Sequence, residues 1–241
     1  MNSLSIEGVS AGYGSVRVLD GISLRVDSGE TVTLLGTNGN GKSTLIKCIM
    51  GIVRPSAGSI VATIDGARHD LLGRAPEQIV NLGIALVPEG RRLFPKLTVE
   101  ENLLLGAYRR AARARIAENL EFCFHAFPRL AERRGQLAGS MSGGEQQMVA
   151  LARALMTAPK ILLIDEPSVG LAPIFVARTI EKIKELKERY QLTVLMAEQN
   201  FNQAIKIADR GYVIVHGHIE YEGARDELAH NDLVRKLYLG L

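Results

Sequence analysis

The sequence predicts an α/β fold built on a mostly parallel sheet. Short apolar runs with the length of buried strands occur at "TVTLLG" (31–36), "GIALVPE" (83–89), "ILLIDEP" (161–167) and "TVLMAEQ" (193–199). Helical stretches separate these runs, and the last three carry acidic residues at the strand end. Buried strands joined by helices are typical of parallel sheets. Because open α/β sheets bind ligands at the carboxyl ends of their strands, we expect a binding site there.

The composition is that of an ordinary globular protein. The 241 residues are 46% hydrophobic, and a net charge of +3 is too small to indicate a polyanion as the main partner. No apolar run approaches the ~18 residues of a membrane helix, and "MNSLSIEG" lacks a signal-peptide pattern. Cys48 and Cys123 match no metal spacing. We expect a chain that is neither secreted nor membrane-spanning by itself, with free thiols in a reducing cytoplasm.

The order of elements predicts a single domain, 1–241, with an insertion. In "GISLRVDSGE" apolar and polar residues alternate before a turn, as in a half-buried strand, and the first thirty residues have this character. The segment at about 92–158 has helical spacing in "TVEENLLLGAYRRAARARIAENLEF" and in "EQQMVALARALM". We interpret it as a helical insertion between core segments 1–91 and 159–241.

The C-terminal part predicts two helices and a hairpin. Apolar residues share one face of a helix at 174–190, with Pro173 at its start. "GYVIVHGHIEYEG" predicts a hairpin around His216-Gly217, and a final helix is predicted from about 225 to 238.

The stretch "GTNGNGKST" is the strongest local motif. It fits G-x-x-x-x-G-K-[ST] between an apolar strand and a helix, through Gly36, Gly41, Lys42 and Ser43. Such a loop converges backbone N–H groups on phosphate oxygens, the lysine adds a point charge, and the serine hydroxyl can reach Mg²⁺. The alternative is an unusual glycine turn at a helix start. A dinucleotide loop is excluded because Gly12-Tyr13-Gly14 lacks the third glycine.

Two acids follow the apolar strand in "ILLIDEP". Asp165 suits a water-mediated hold on magnesium, and Glu166 can accept a proton from an attacking water. Many strands end in acids, so this interpretation depends on the phosphate loop upstream.

The stretch "MSGGEQQ" predicts a second phosphate-binding surface. Ser142 and Glu145 form a capping box, which alone would explain a helix start. A capping box does not require Gly143-Gly144, and glycines at a helix N-terminus leave N–H groups bare. Two such surfaces in one chain suggest that nucleotide is held between two copies.

Together, "GTNGNGKST", "MSGGEQQ", "ILLIDEP" and "AEQN", in this order, resemble the ATP-binding cassette (ABC) ATPase family over essentially the whole chain. The resemblance implies an α/β P-loop NTPase fold with a RecA-like core, an N-terminal antiparallel β subdomain and an inserted α-helical subdomain. It also implies ATP and Mg²⁺ as ligands.

The resemblance implies a role for each motif residue. Tyr13 would stack on adenine, Ser142 and Gly144 would contact the γ-phosphate bound to the opposite subunit, and Glu166 would polarise the attacking water. The implied nucleotide-binding residues are Tyr13, Gly36, Asn38, Gly39, Asn40, Gly41, Lys42, Ser43 and Thr44. The implied in-trans residues are Ser142, Gly143, Gly144 and Glu145, the catalytic residues Glu166, Gln199 and Glu89, and the metal ligands Ser43, Glu89 and Asp165.

Longer stretches narrow the resemblance. "VPEGRRLFPKLTVEENL", "DEPSVGLAP" and "AEQNFNQAIKIADRGYV" are similar to one of the two ATPase subunits of bacterial branched-chain amino acid importers. Urea and short-chain amide importers have closely related subunits. The implied partners are a second ABC ATPase subunit, identical or not, transmembrane permease subunits and, indirectly, a substrate-binding protein. The implied location is the cytoplasmic face of the plasma membrane.

The chain departs from the wider family at several motif positions. Glu89 stands where glutamine is usual, and a carboxylate donates a hydrogen bond only when protonated. Gln199 stands where histidine is usual, and an amide carries no charge. Gln at that position recurs in the branched-chain subgroup. Met141 and Glu145 replace leucine and glutamine without removing the serine or the glycines.

Other function classes are less consistent with the sequence. Soluble cassette ATPases that act on nucleic acid or ribosomes tend to have tandem cassettes or basic arms. We interpret the basic run "RRAARAR" (109–115) as a solvated helix face, and no nucleic acid is expected. A P-loop kinase would not need "MSGGEQQ". In "EGRRLFP" (89–95), Leu93 and Phe94 either pack in the core or, as the resemblance to the family implies, help form the groove that receives a short helix of the membrane subunit.

Because Gln199 replaces a charged or proton-carrying histidine, we predict that the ATP site on this chain's phosphate loop hydrolyses ATP more slowly than the partner site. Single-turnover hydrolysis in a heterodimer measures each site when the phosphate-loop lysine of each subunit, Lys42 in this chain, is removed in turn. Equal rates at the two sites would contradict the prediction.

Overall fold

The computed structural model describes residues 1–232, 234 and 236. Its strands form two sheets. The strands are β1 (Ser3–Tyr13), β2 (Val16–Val26), β3 (Thr31–Leu35), β4 (Ala57–Ile64), β5 (Ala67–Asp70), β6 (Ile84–Val87), β7 (Ile161–Asp165), β8 (Thr193–Glu198), β9 (Arg210–Val215) and β10 (His218–Ala224). One sheet is antiparallel with the order β2-β1-β4-β5. The other has the order β10-β9-β3-β8-β7-β6 and is parallel except for β10.

Helices flank the parallel sheet on both faces. They are α1 (Lys42–Ile49), α2 (Pro76–Leu82), α3 (Val99–Gly106), α4 (Arg110–Arg113), α5 (Ile116–Ala126), α6 (Pro128–Glu132), α7 (Gly143–Leu155), α8 (Pro173–Tyr190), α9 (Phe201–Ala204) and α10 (Arg225–His230), with a 3₁₀ turn at Ala138–Ser140. The predicted α/β class with an N-terminal antiparallel sheet is confirmed. Helices α3 to α7 lie within 92–158, and the division into subdomains there stays a prediction.

The centre of the parallel sheet explains the apolar runs. Every residue of β3, β7 and β8 is buried. The register pairs Leu35 with Glu198 and Asp165 with Ala197. The carboxyl ends of β3, β8 and β7 therefore lie side by side, which is where the predicted phosphate loop and acids follow.

Alternating side chains divide the core into two clusters, because successive residues of a strand point to opposite faces. Leu34 and Leu195 pack in the cluster that contains α1 and the antiparallel sheet. Leu35 and Val194 pack in the cluster that contains α3, α5, α7 and α8. Helix α1 thus lies between the two sheets, and its N-terminus is held at the sheet edge.

The stretch with helical spacing after residue 98 forms three helices, α3, α4 and α5. Helix α3 ends at Gly106, where an added Cβ would lie 2.1 Å from the Arg153 carbonyl oxygen of α7. Arg109 is extended and donates to the carbonyl oxygens of Thr157 and Ala158 just beyond α7. Arg109 therefore satisfies carbonyl groups at the end of a helix, which corrects its assignment to a solvated helix face.

The C-terminal predictions hold up to residue 230. Helix α8 has the predicted extent, and the β9–β10 hairpin turns at His216 and Gly217, both with positive φ. The final helix, predicted from about 225 to 238, is interrupted: α10 ends where Asn231 becomes extended, and the described residues 232, 234 and 236 are again helical. Residues 233, 235 and 237–241 lie outside the described residues. In the part of the chain that the structure describes, no helix has the length and apolar character needed to cross a membrane.

We predict that Gly106→Ala lowers the free energy of unfolding by about 1–3 kcal/mol, because the added methyl group would overlap the α7 backbone. Chemical denaturation measures the change. Gly135→Ala is the matched control, since its Cβ would meet open space, and we expect a change within about 0.5 kcal/mol. Equal effects of the two substitutions would contradict the close approach of α3 to α7.

Candidate functional site

A cavity of about 390 Å³ opens beside the loop between β3 and α1. Its lining brings together residues from the first strands, the glycine loop and the ends of β6 and β7. They are Tyr13, Val18, Asn38, Gly39, Gly41, Lys42, Ser43, Thr44, Glu89 and Glu166. Most of the predicted nucleotide-binding residues therefore lie around one cavity, together with two of the predicted catalytic acids.

Gly36 and Asn40 do not line this cavity, although both are predicted nucleotide-binding residues. A Cβ at Gly36 would lie 2.8 Å from the Ile214 side chain, so the glycine allows the loop to pass close to β9. The Asn40 side chain donates to Thr37 Oγ1 at 2.8 Å and accepts from the His216 N–H at 2.9 Å. These residues therefore shape the loop and attach it to the β9–β10 hairpin.

Lys42 and Glu166 form a buried ion pair at the base of the cavity. Lys42 Nζ lies 2.9 Å from Glu166 Oε1, and the side chains are only 3% and 6% exposed. The same ammonium group donates to the carbonyl oxygens of Gly36 at 2.8 Å and Thr37 at 3.1 Å. Glu166 has a φ of 47°, a left-handed conformation that is uncommon outside glycine and clusters at functional sites.

Ser43 and Asp165 supply oxygen atoms next to this pair. Ser43 Oγ donates to Asp165 Oδ1 at 2.9 Å. Burial raises the pKa of Asp165 to about 6, and the hydrogen bond from Ser43 opposes the shift. Glu89 lines the same cavity from the loop after β6. A hydroxyl and carboxylate oxygens are hard donors that fit Mg²⁺, which commonly completes its coordination with phosphate oxygens and water.

Tyr13 lies at the mouth of the cavity, at the end of β1. Tyr13 is 48% exposed, so its ring is accessible to a ligand in the cavity. An exposed ring beside a phosphate-binding loop offers a stacking surface to a planar base.

The predicted signature residues lie outside this cavity, at the start of α7. The Glu145 N–H donates to Ser142 Oγ at 3.4 Å, and the Ser142 N–H donates to Glu145 Oε2 at 3.0 Å, as expected of a capping box. A Cβ at Gly144 would lie 2.4 Å from Phe175 Cδ1, whereas Gly143 has only the Arg91 guanidinium nearby, at 3.4 Å. Close packing against α8 therefore explains why residue 144 is a glycine. The sequence did not reveal this contact.

The side chains of Glu198, the last residue of β8, and of Gln199, the next residue, have different environments. Glu198 is fully buried and accepts hydrogen bonds from Ser168, Gln199 and Asn200. Burial raises the pKa of Glu198, and these hydrogen bonds oppose the shift. Gln199 lines a neighbouring groove of about 510 Å³ with Ser168 and Asn200, and not the phosphate-loop cavity. Contact between Gln199 and a phosphate therefore stays a prediction.

Arg91 connects three segments around the site. Gly90, Arg91 and Arg92 all have positive φ, so the loop after β6 turns sharply. Arg91 Nη1 donates to Gln146 Oε1 of α7, and Nη2 donates to the Gly170 carbonyl oxygen, both at 3.1 Å. Sequence reasoning missed this bridge and the buried role of Glu198. The only local signals were a glycine before the arginine pair and an acid directly after a buried strand.

Comparisons with known proteins agree with this geometry. The family described as ABC transporter matches residues 19–169. The chain is 46% identical over 237 residues to the high-affinity branched-chain amino acid transport ATP-binding protein BraG of Pseudomonas aeruginosa, covering 98% of this chain and 99% of the relative. It is 33% identical over 233 residues to the probable branched-chain amino acid transport ATP-binding protein LivF of Archaeoglobus fulgidus, covering 97% of each.

More distant relatives and solved structures extend the comparison. The lipopolysaccharide export system ATP-binding protein LptB of Haemophilus influenzae is 34% identical over 242 residues, covering 100% of this chain and 98% of the relative. The ADP conformation of MJ1267, an ATP-binding cassette of an ABC transporter, superposes with a TM-score of 0.83 at 28% identity and full coverage of both chains. The chain therefore belongs to the ABC transporter family, as an ATP-binding cassette whose ATPase activity is coupled to transport.

Proposed function

We propose that this chain is the ATP-hydrolysing subunit of an importer for branched-chain amino acids. The observation that carries the substrate class is the 46% identity with BraG over nearly the full length of both chains. Gln199 is consistent with this substrate class, since the resemblance implies glutamine at this position in the branched-chain subgroup.

In the proposed mechanism, nucleotide phosphates enter the cavity and take Lys42 away from its present partners. The ammonium group now neutralises Glu166 and satisfies two loop carbonyl groups. A phosphate that competes for Lys42 leaves Glu166 as an unpaired carboxylate, and this carboxylate can accept a proton from the attacking water. Binding of substrate and release of the base are thereby the same event.

The oxygen atoms beside the ion pair are the proposed cation ligands. Ser43, Asp165 and Glu89 would hold Mg²⁺, with Asp165 orienting the Ser43 hydroxyl through the hydrogen bond between them. The cation, when bound, would neutralise charge on the phosphate oxygens. Tyr13 would stack on the adenine at the cavity mouth, where its ring is exposed.

The signature residues are proposed to act on a second cassette. Ser142, Gly143, Gly144 and Glu145 do not line the cavity of their own chain, which supports a role in trans. The partner would be a second ABC ATPase subunit, identical or not. In this arrangement two nucleotides lie between two cassettes, and the cassettes separate after hydrolysis.

An apolar groove on the helical segment supports docking to a permease. Phe94 is 54% exposed and lines a groove of about 340 Å³ with Leu105 and Tyr108, whereas Leu93 packs against the core. The two apolar residues after the arginine pair thus have different environments. We propose that a helix of the membrane subunit enters this groove and holds the chain at the cytoplasmic face of the membrane.

The test is co-purification followed by transport. The chain, co-expressed with candidate permease subunits encoded by neighbouring reading frames, should be recovered with them from detergent extracts of membranes. Reconstituted with the matching binding protein, the complex should take up leucine, isoleucine or valine when ATP is supplied. Uptake of urea or a short-chain amide instead would assign the related importer. Recovery with RNA and without a permease would overturn the proposal.

We predict that Glu166→Gln reduces ATP turnover by about 10²–10⁴-fold, because it removes the proposed base and keeps the side-chain shape. ATP binding should be retained, and a closed dimer should accumulate, as measured by nucleotide retention and size-exclusion chromatography. Glu185→Gln is the control, since Glu185 pairs with Lys182 on the surface of α8. Near-normal turnover in Glu166→Gln would remove Glu166 from this role.

We predict that Gly144→Ala destabilises the chain by about 1–3 kcal/mol and reduces ATPase activity, because the added methyl group would overlap the Phe175 ring. The double variant Gly144→Ala/Phe175→Ala makes room for it. Recovery of stability and activity together would assign Gly144 to packing. Recovery of stability alone would support direct contact of this glycine with the partner's nucleotide.

A further inference from the structure

Glu198 is a buried carboxylate to which the proposed mechanism assigns no role. It ends β8, it has no measurable exposure, and it does not line the phosphate-loop cavity. In the described structure no cation pairs with it in an ion pair. A carboxylate in such a place is tolerated only when several donors compensate for its lost hydration.

Four donors surround this carboxylate, and they come from two loops. Ser168 donates its hydroxyl to Oε1 at 2.6 Å and its N–H to Oε2 at 3.3 Å. The N–H groups of Gln199 and Asn200 donate to Oε1, each at 3.0 Å. Hydrogen bonds to an ionised acceptor are roughly twice as strong as neutral ones, so Glu198 joins the two loops firmly.

One of these loops carries the proposed base. Ser168 lies two residues after Glu166, in the β7–α8 turn (167–170). The backbone N–H of Glu166 donates to the Ala197 carbonyl oxygen at 2.9 Å. The segment with Glu166 is therefore attached to the end of β8 at two points, on either side of Pro167. Because Glu166 has a left-handed backbone, its conformation depends on such attachments.

The other loop carries Gln199 and leads into α9. The N–H groups of Gln199 and Asn200 both point to the same carboxylate oxygen, so the backbone folds around the Glu198 side chain. The Asn200 side chain then caps α9 by accepting from the Gln203 N–H. Any movement of this loop away from Glu198 would break two hydrogen bonds to a buried charge.

We propose that Glu198 is a positioning residue for ATP hydrolysis, which couples the loop of Gln199 to the turn that places Glu166. A shift of the Gln199 loop changes the hydrogen bonds that Glu198 accepts from Ser168, and the position of Glu166 changes with them. This inference rests on the proposed role of Glu166 as the base. It adds a residue that touches neither nucleotide nor cation.

The test is Glu198→Gln, which keeps the size of the side chain. Its amide oxygen can replace Oε1, but its NH₂ group would then face the Ser168 N–H, a donor against a donor. We expect kcat for ATP to fall about tenfold or more, since displacement of a catalytic group by about 1 Å can cost up to 10²-fold, with KM for ATP changed less than about twofold. ATPase activity is measured on the full chain assembled with its co-expressed partner subunits.

Asp209→Asn is the control for loss of a carboxylate that joins two segments outside the site. Asp209 also accepts from two segments, the Thr31 N–H at 2.8 Å and Lys187 Nζ at 2.9 Å, but at the opposite end of the sheet. We expect its loss to lower the melting temperature and leave kcat unchanged. If Glu198→Gln also lowers only the melting temperature, Glu198 is a structural residue and the proposal fails.

A double-mutant cycle identifies the contact. Ser168→Ala removes the hydroxyl donor, and Ser168→Thr keeps it. We expect Ser168→Ala to reduce kcat, Ser168→Thr to retain most of it, and Glu198→Gln/Ser168→Ala to lose less than the product of the single effects. Independent, multiplicative effects would overturn the coupling. If Glu166→Gln retains turnover while this cycle still shows coupling, the base has been misassigned and the link between the loops stands.

Discussion

The alignment of three buried strands, β3, β8 and β7, determines where the phosphate loop and the acids beside it lie. Strand β8 runs between β3 and β7, and the register brings Leu35 beside Glu198 and Asp165 beside Ala197. A shift of one residue would turn the buried faces of these strands over, so the register is strongly specified by the two apolar clusters. Because the three strands end at one edge, the phosphate loop, the acids after β7 and the loop after β8 must meet there.

At that edge, Glu166 and Glu198 are both buried carboxylates, but different groups compensate for their lost hydration. The partner of Glu166 is the ammonium group of Lys42, a cation for which a phosphate can compete. The partners of Glu198 are backbone N–H groups and a serine hydroxyl, and none of the residues that supply them lines the phosphate-loop cavity. Glu166 is therefore suited to change its partner and accept a proton during hydrolysis, whereas Glu198 is suited to hold the loops around it in place.

The sequence could predict features that depend on local pattern. Strands buried on both faces appear as continuous apolar runs with polar residues at their ends, and the glycine loop has a spacing that few other structures need. Contacts between distant segments could not be predicted. Helix α3 ends at Gly106, where its backbone packs closely against α7, and the Phe175 ring leaves no room for a side chain at residue 144. Arg109 donates to a carbonyl oxygen just beyond the end of α7. Helical spacing alone contains no information about these neighbours.

The end of β8 shows most clearly what a pattern leaves open. Two polar residues at the end of a buried strand predict a bound ligand. Because side chains alternate along a strand, however, neighbouring side chains point to opposite faces. Glu198 turns inward to Ser168, and Gln199 lines the adjacent groove. The Glu198 carboxylate therefore holds in place the backbone of the loop that carries Gln199. Replacing histidine by glutamine at 199 leaves this backbone arrangement intact, because the anchoring hydrogen bond comes from the N–H of residue 199 and not from its side chain.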